Sequence, residues 1–280
     1  MGGQAGGRLM AAHQLPSFDL TGKVSVITGA AQGIGEVAAH VFAGLGSKVA
    51  ILDVQPDVGE AVAAAIRADG GEAIYIDCDV SSEAAVSAAA AEVAARLGPS
   101  DVLVNNAGVI SWTPLEDLAL DEWERVCAIN LRGVFLCAKH FGRHMLDKGS
   151  GSVIGVSSVA GTVPEPAAGA YAATKAGVIV LARQLAVEWG SRGVRSNCVS
   201  PGMVMTPMSA RFMTDTDALE KRKSMTASRR IGQAHEAAAL MAFLASDASS
   251  YVNGQNIEVD GGLMQMMIRL LPRPGVKQAD

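Results

Sequence analysis

Val24-Ser-Val-Ile-Thr-Gly-Ala-Ala-Gln-Gly-Ile-Gly35 decides the fold of this chain. A short β-branched apolar run, Val24 to Thr28, reads as a buried strand; three glycines follow, and a helical pattern runs from Ile34 to Leu45. Gly29, Gly33 and Gly35 allow a tight turn with close backbone approach, and the helix start leaves N–H groups free to meet a pyrophosphate. Taken alone, the glycines fit an ordinary glycine-rich turn equally well.

The same rhythm repeats outward from this unit. Strand-like runs at Lys48–Asp53, Ala73–Asp77, Asp101–Asn105, Ser152–Ser157, Val194–Ser200 and Ile257–Asp260 alternate with helical patterns at Val58–Ala68, Glu83–Leu97, Asp121–Met145, Ala168–Trp189 and Glu236–Ser246. Seven strands separated by helices predict an α/β fold, a single-domain, Rossmann-type, doubly wound parallel sheet. With 280 residues, 49% of them hydrophobic, the chain can bury one full core without a second domain. Residues 1 to 19, rich in glycine and alanine, read as a flexible leader, and the domain proper spans 20 to 262. Two segments interrupt the alternation. Pro201 to Arg230 is long and methionine-rich, as a substrate lid or a subunit contact would be. The tail, 263 to 280, begins Leu-Met-Gln-Met-Met-Ile-Arg-Leu-Leu, apolar enough to expect cover from a neighbouring subunit.

Composition excludes several classes. A net charge of −5 with no long basic run argues against nucleic acid or an anionic membrane as partner. No apolar run reaches the ~18 residues of a membrane span, which leads to the expectation of a cytoplasmic protein. Cys78, Cys127, Cys137 and Cys198 are scattered and the histidines are not clustered, so neither a disulfide framework nor a metal site is indicated.

Two further constellations carry chemistry. Asp53 stands eighteen residues after Gly35 at the end of the second strand, where a carboxylate can accept hydrogen bonds from ribose hydroxyls. A helix N-cap is its alternative reading. Tyr171 and Lys175 are four residues apart, on one face of the predicted helix. Bringing a phenol from pH ~10 to about 7 takes roughly 4 kcal/mol, which one cation at about 4 Å supplies at an effective dielectric near 20. Ser158 lies thirteen positions earlier, at a strand's carboxyl end. A packed tyrosine beside a solvated lysine is the bland reading of the same spacing.

The ordered set Thr28-Gly-Ala-Ala-Gln-Gly-Ile-Gly35, Asp79-Val80, Asn105-Asn-Ala-Gly108, Asn130, Ser158, Tyr171-Ala-Ala-Thr-Lys175, Pro201-Gly202 and Asn253 to Gly262 resembles the short-chain dehydrogenase/reductase family. The resemblance implies an NAD-dependent oxidoreductase interconverting a secondary alcohol and its ketone. In it Tyr171 would be the general acid/base, Lys175 would hold the nicotinamide ribose and lower the phenol pKa, and Ser158 would hydrogen-bond the substrate oxygen. Ser158 is preferred to Ser157 on spacing to Tyr171. Asn130 would help hold a water linking Lys175 to solvent, against the alternative of a helix residue bonding nearby main chain. Gly29, Gln32, Gly33, Ile34 and Gly35 would hold the pyrophosphate, and Asp53 the adenosine ribose. Asp79 and Val80 would border the adenine, with Asp79 equally able to cap the next helix. Asn106, Ala107 and Gly108 would pass close to the ribose, and Pro201, Gly202, Val204 and Thr206 would meet the nicotinamide.

Ile110 to Trp112, the loop 164–169 and Met203 to Met225 fall where the family selects substrate, and their apolar character favours a ring or alkyl alcohol. The family also implies a homotetramer, or at least a dimer. A catalytically silent NAD-binding regulator or scaffold on the same fold is the competing expectation.

Overall fold

A computed structural model describes residues 17–210 and 214–266. Its centre is a seven-stranded parallel sheet in the order β3-β2-β1-β4-β5-β6-β9. The strands are β1 Val24–Thr28, β2 Lys48–Asp53, β3 Glu72–Asp77, β4 Val102–Asn105, β5 Gly151–Val156, β6 Val194–Pro201 and β9 Asn256–Val259. A two-stranded ribbon pairs β7 Val204–Met205 with β8 Gly232–Gln233.

Period-two alternation sends side chains to both faces of the sheet, and both are covered. Val26 and Leu103 join one core with helices α3 (Glu83–Arg96), α5 (Gly133–Lys148) and α6 (Ala170–Trp189). Ile27, Val104 and Ile154 join another with α1 (Gly33–Gly44), α2 (Pro56–Ala68) and α9 (Ala234–Ala245). Chain order reverses direction across the β1/β4 pair, so the crevice at their carboxyl ends is the topological switch point of the sheet.

The pattern expected as one helix over Asp121–Met145 is divided. Helix α4, Leu120–Cys127, passes through a π-type turn, Ala128–Arg132, into α5. At this turn the Gly133 N–H reaches back five residues to the Ala128 carbonyl. Gly133 also lies against Val80, where a Cβ would come within 2.9 Å of a valine methyl. The segment expected as a lid contains β7, α7 (Pro207–Ala210) and α8 (Thr216–Ser224); Met213 lies outside the described residues. No helix among the described residues is long and apolar enough to cross a membrane.

Candidate active site

The glycine turn is clamped from β4. Asn106 donates its side-chain N–H groups to the carbonyls of Thr28 (3.0 Å) and Gly29 (2.8 Å), while Thr28 Oγ1 accepts from the N–H groups of Asn106 and Ala107 at 3.0 Å each. Gly29 and Gly35 are required by close approach. A Cβ on Gly29 would lie 2.7 Å from the Ala107 Cα, and one on Gly35 would lie 2.3 Å from the Gly29 carbonyl oxygen. Gln32 is the extended N-cap of α1, without a side-chain cap bond, and Ile34 in the first turn lines a cavity shared with Tyr171 and Lys175. Gly33, at φ 66°, lies beneath Thr206 and Pro207, so the segment after β6 packs over the glycine turn.

Asp53 ends β2 and is 7% exposed. One carboxylate oxygen accepts from the Ala31 N–H at 3.0 Å and the other from the Gln55 N–H at 3.2 Å. It is therefore held against the glycine turn and does not cap α2, whose N-cap is Gln55. Asp79 is exposed and accepts from the Ser81 N–H and hydroxyl, while Ser82 supplies the cap of α3 by accepting from Ala85. Val80 is buried.

A cavity of about 820 Å³ opens beside the turn and brings together Ser158, Tyr171, Lys175, Asn106, Gly108 and Thr206. Pro201, Gly202 and Val204 line it too, as do Ile110, Trp112, Met203, Met208 and Met225. Leu263, Met264 and Met266, the first part of the tail, also face this cavity of their own chain, whereas the sequence pointed to a subunit neighbour. Residues 267–280 lie outside those described.

The two serines divide their labour. Ser157 donates to the Lys175 carbonyl at 2.8 Å and so ties β5 to α6. Ser158 accepts from the Ala160 N–H at 3.1 Å, and its own hydroxyl is hydrogen-bonded to the Tyr171 phenol. Asn130, fully buried in the π-type turn, grips Val109: its Oδ1 accepts from the Val109 N–H and its amide donates to the Val109 carbonyl, both at 2.8 Å. The main-chain alternative for Asn130 is thus what the geometry contains. Gly108, beside it, gives room where a Cβ would lie 3.3 Å from Lys175 Nζ.

Lys175, 4% exposed, donates to the Val156 carbonyl at 2.7 Å and lies 5.6 Å from the centre of the Tyr171 ring. Burial lowers its pKa to about 8. The Tyr171 phenol is raised above its ordinary value, chiefly by burial, with the hydrogen bond to Ser158 pulling it down and the Glu165 charge pushing it up. This revises the expectation of a lysine-depressed phenol. Desolvation of the phenol outweighs the stabilisation available to the phenolate, and the lysine bears a desolvation cost of its own.

Among the described residues no cluster of three metal-type ligands occurs. The features present suit a dinucleotide. Gly29 and Gly35 let the turn close on itself, since a Cβ at either would strike the protein's own backbone, and the Asn105 side-chain Nδ2 is buried with no hydrogen-bond partner.

A family model described as enoyl-(acyl carrier protein) reductase matches residues 29–264. The chain belongs to the short-chain dehydrogenase/reductase family. It is 41% identical over 247 residues to D-threitol dehydrogenase of Mycolicibacterium smegmatis, covering 88% of this chain and 94% of that one. It is 42% identical over 244 residues to cis-4-hydroxycyclohexanecarboxylate dehydrogenase of Sinomonas cyclohexanicum, covering 86% and 96%. Among solved structures, a gluconate 5-dehydrogenase of Burkholderia cenocepacia J2315 in complex with NADP and tartrate superposes with a TM-score of 0.86 at 36% identity, covering 90% of this chain and 99% of that one. Nicotinamide cofactors are general in this family of oxidoreductases.

Sequence reading named Ser158, Tyr171 and Lys175, which meet at this cavity, and the segments 164–169 and Met203 to Met225, which bring Glu165 and Arg222 to its wall; it missed Thr28 as the clamp on Asn106 and Ala107. Thr28 carries a signal, a hydroxyl at the last strand position before the turn. The approach of Arg222 to Glu165 carries none, because the loop after β5 and helix α8 meet only in three dimensions.

Proposed function

We propose that the protein is an NAD-dependent dehydrogenase/reductase that interconverts a secondary alcohol and its ketone, with Tyr171 as general acid/base. The observation that carries this reading is the convergence of Ser158, Tyr171 and buried Lys175 on one cavity at the switch point of the sheet. When bound, the nicotinamide supplies or accepts the hydride.

The protein's own residues do the rest. In the reducing direction Ser158 donates a hydrogen bond to the substrate carbonyl oxygen, and Tyr171 gives that oxygen its phenolic proton as the carbon gains hydride. The resulting phenolate faces the Lys175 ammonium. In the oxidising direction Tyr171 takes the alcohol proton back. A raised phenol pKa keeps Tyr171 protonated at neutral pH, ready as the acid; alcohol oxidation needs the base form and accelerates with rising pH.

Asp53 supports NAD over NADP. Its carboxylate, at the end of β2 and held against the glycine turn, is available to accept from adenosine ribose hydroxyls, and Ala31, Gln32, Val54 and Gln55 beside it bring no cation for a 2′-phosphate. The structural relative that holds NADP makes this the sharpest point of the reading. Gly29, Gln32, Gly33, Ile34 and Gly35 would hold the pyrophosphate, Asn106 to Gly108 would border the ribose, and Val204 and Thr206 would meet the nicotinamide side.

A panel of cyclic, aromatic and aliphatic secondary alcohols with NAD, read by NADH fluorescence, tests the proposal. Turnover of any member supports it. Binding of NAD with no turnover of any alcohol or ketone favours a silent cofactor-binding protein.

A further inference from the structure

Four charged side chains line the cavity among the described residues: Lys175 at its reacting end, and Glu165, Lys221 and Arg222 elsewhere on its wall. Glu165 is the sole acid of the set, and it belongs to the loop between β5 and α6 at an exposed part of the cavity wall. That loop has a defined shape. Ala167 adopts φ 58°, a left-handed conformation unusual for alanine; Ala168 donates to the Glu165 carbonyl and forms a bridge with Thr113. Arg222, from α8 of the lid segment, lies close enough for its charge to act on Glu165. The remaining walls are mostly apolar.

Resting on the alcohol–ketone reading above, we infer that Glu165 is a specificity residue: its carboxylate accepts a hydrogen bond from a second hydroxyl of the substrate, so the preferred substrates are neutral diols or polyols. A simple monohydric alcohol has no donor left for Glu165 once its own hydroxyl meets Tyr171 and Ser158. A carboxylate placed at the same point meets a like charge. Arg222 on the neighbouring element can donate to the oxygen of that second hydroxyl, so a hydroxyl, donor and acceptor at once, suits both sides of the pair. The carboxylate also communicates with the reacting end, since its charge raises the Tyr171 pKa.

The test compares matched pairs, cyclohexanol with 1,2-cyclohexanediol and 2-butanol with 2,3-butanediol, together with 4-hydroxycyclohexanecarboxylate, in wild type, Glu165→Gln and Glu165→Leu. Wild type should favour each diol over its monohydric partner by at least about tenfold in kcat/KM, the scale of one hydrogen bond to a charged acceptor. Glu165→Leu should collapse that ratio, and both variants should gain on the carboxylate relative to the diol. In Glu165→Gln the pH profile of alcohol oxidation should move to lower pH, a shift that a purely structural loop residue would not produce. Equal use of diols and monohydric alcohols by wild type, or a ratio and pH profile unchanged in both variants, overturns the role of Glu165 and leaves the dehydrogenase reading standing. No turnover of any compound with either cofactor overturns that reading, and Glu165's role with it.

Discussion

Tyr171 is the residue on which the proposed chemistry turns, and its environment states what its removal should do. Tyr171→Phe keeps the ring against Lys175 and deletes the transferable proton. NAD affinity should persist while turnover falls by about 10² to 10⁴, the usual worth of general acid/base assistance; a variant retaining half of wild-type kcat excludes the assignment. Lys175 has its own signature. Its folded pKa of about 8 lies below the 10.5 of a free lysine, so the folded state binds fewer protons than the unfolded state between those values and stability rises with pH there. This contribution is present above the unfolded value and lost as pH falls through the folded one. Relative to Lys175→Met, wild type should therefore gain up to roughly 3 kcal/mol between pH 8 and 10.5. Chemical denaturation of both proteins across that range checks it, and a constant difference contradicts it. In the proposed function Asp53 selects the cofactor. A phosphate of charge near −2 about 5 Å from a carboxylate costs several kcal/mol at an effective dielectric near 20, so NAD should exceed NADP by about a hundredfold or more in kcat/KM. Asp53→Ala should erase most of that margin. Equal use of both cofactors by wild type removes Asp53 from the site.

At the scale of elements, the strand–turn–helix from β1 to α1 is the most constrained piece of the molecule. Gly35→Ala would set a methyl 2.3 Å from the Gly29 carbonyl oxygen and 2.5 Å from the Asn106 amide nitrogen, both held in place by the clamp from β4. Backbone cannot yield there as a flexible side chain could. The substitution should cost about 1–3 kcal/mol of stability, as overpacking does, and should abolish measurable cofactor binding; thermal unfolding and cofactor titration report the two effects separately. This element was also the most legible in sequence, because glycine spacing encodes backbone geometry directly. The strands were readable for a similar reason, since parallel strands buried on both faces are short apolar runs. The break between α4 and α5 was not legible: apolar residues continue on both sides of it, and the contact made there, Asn130 gripping Val109, joins segments distant in sequence. The cavity wall was legible only as a list of variable apolar stretches. Which side chains meet there depends on how the loop after β5 and the segment after β6 fold over one another.

At the scale of the whole molecule, the outer faces of α5 and α6 bear directly on assembly. Both helices cover the same side of the sheet, yet Phe135 is 50% exposed, Val180 61% and Val187 80%. Val180 and Val187 are seven residues apart and so share a helical face. A twofold contact uses each side chain twice. Full burial of a large apolar side chain gives about 1.5–3 kcal/mol, so these three, already partly covered, recover a sum comparable with the roughly 4–15 kcal/mol lost on association. They therefore need added surface, and Tyr251, fully exposed in the single chain, is available for a second contact. Two such contacts on one subunit build a tetramer of twofold symmetry, whereas one gives a dimer. The expected solution state is a homotetramer, or at least a dimer, of the 28.8 kDa chain. Light scattering at micromolar concentration should give a multiple of that mass, and Val180→Glu with Val187→Glu should lower it, because a carboxylate buried without a partner opposes the contact. A wild-type monomer would leave the α5/α6 face as ordinary surface; an unchanged mass in the double variant would place the contact elsewhere.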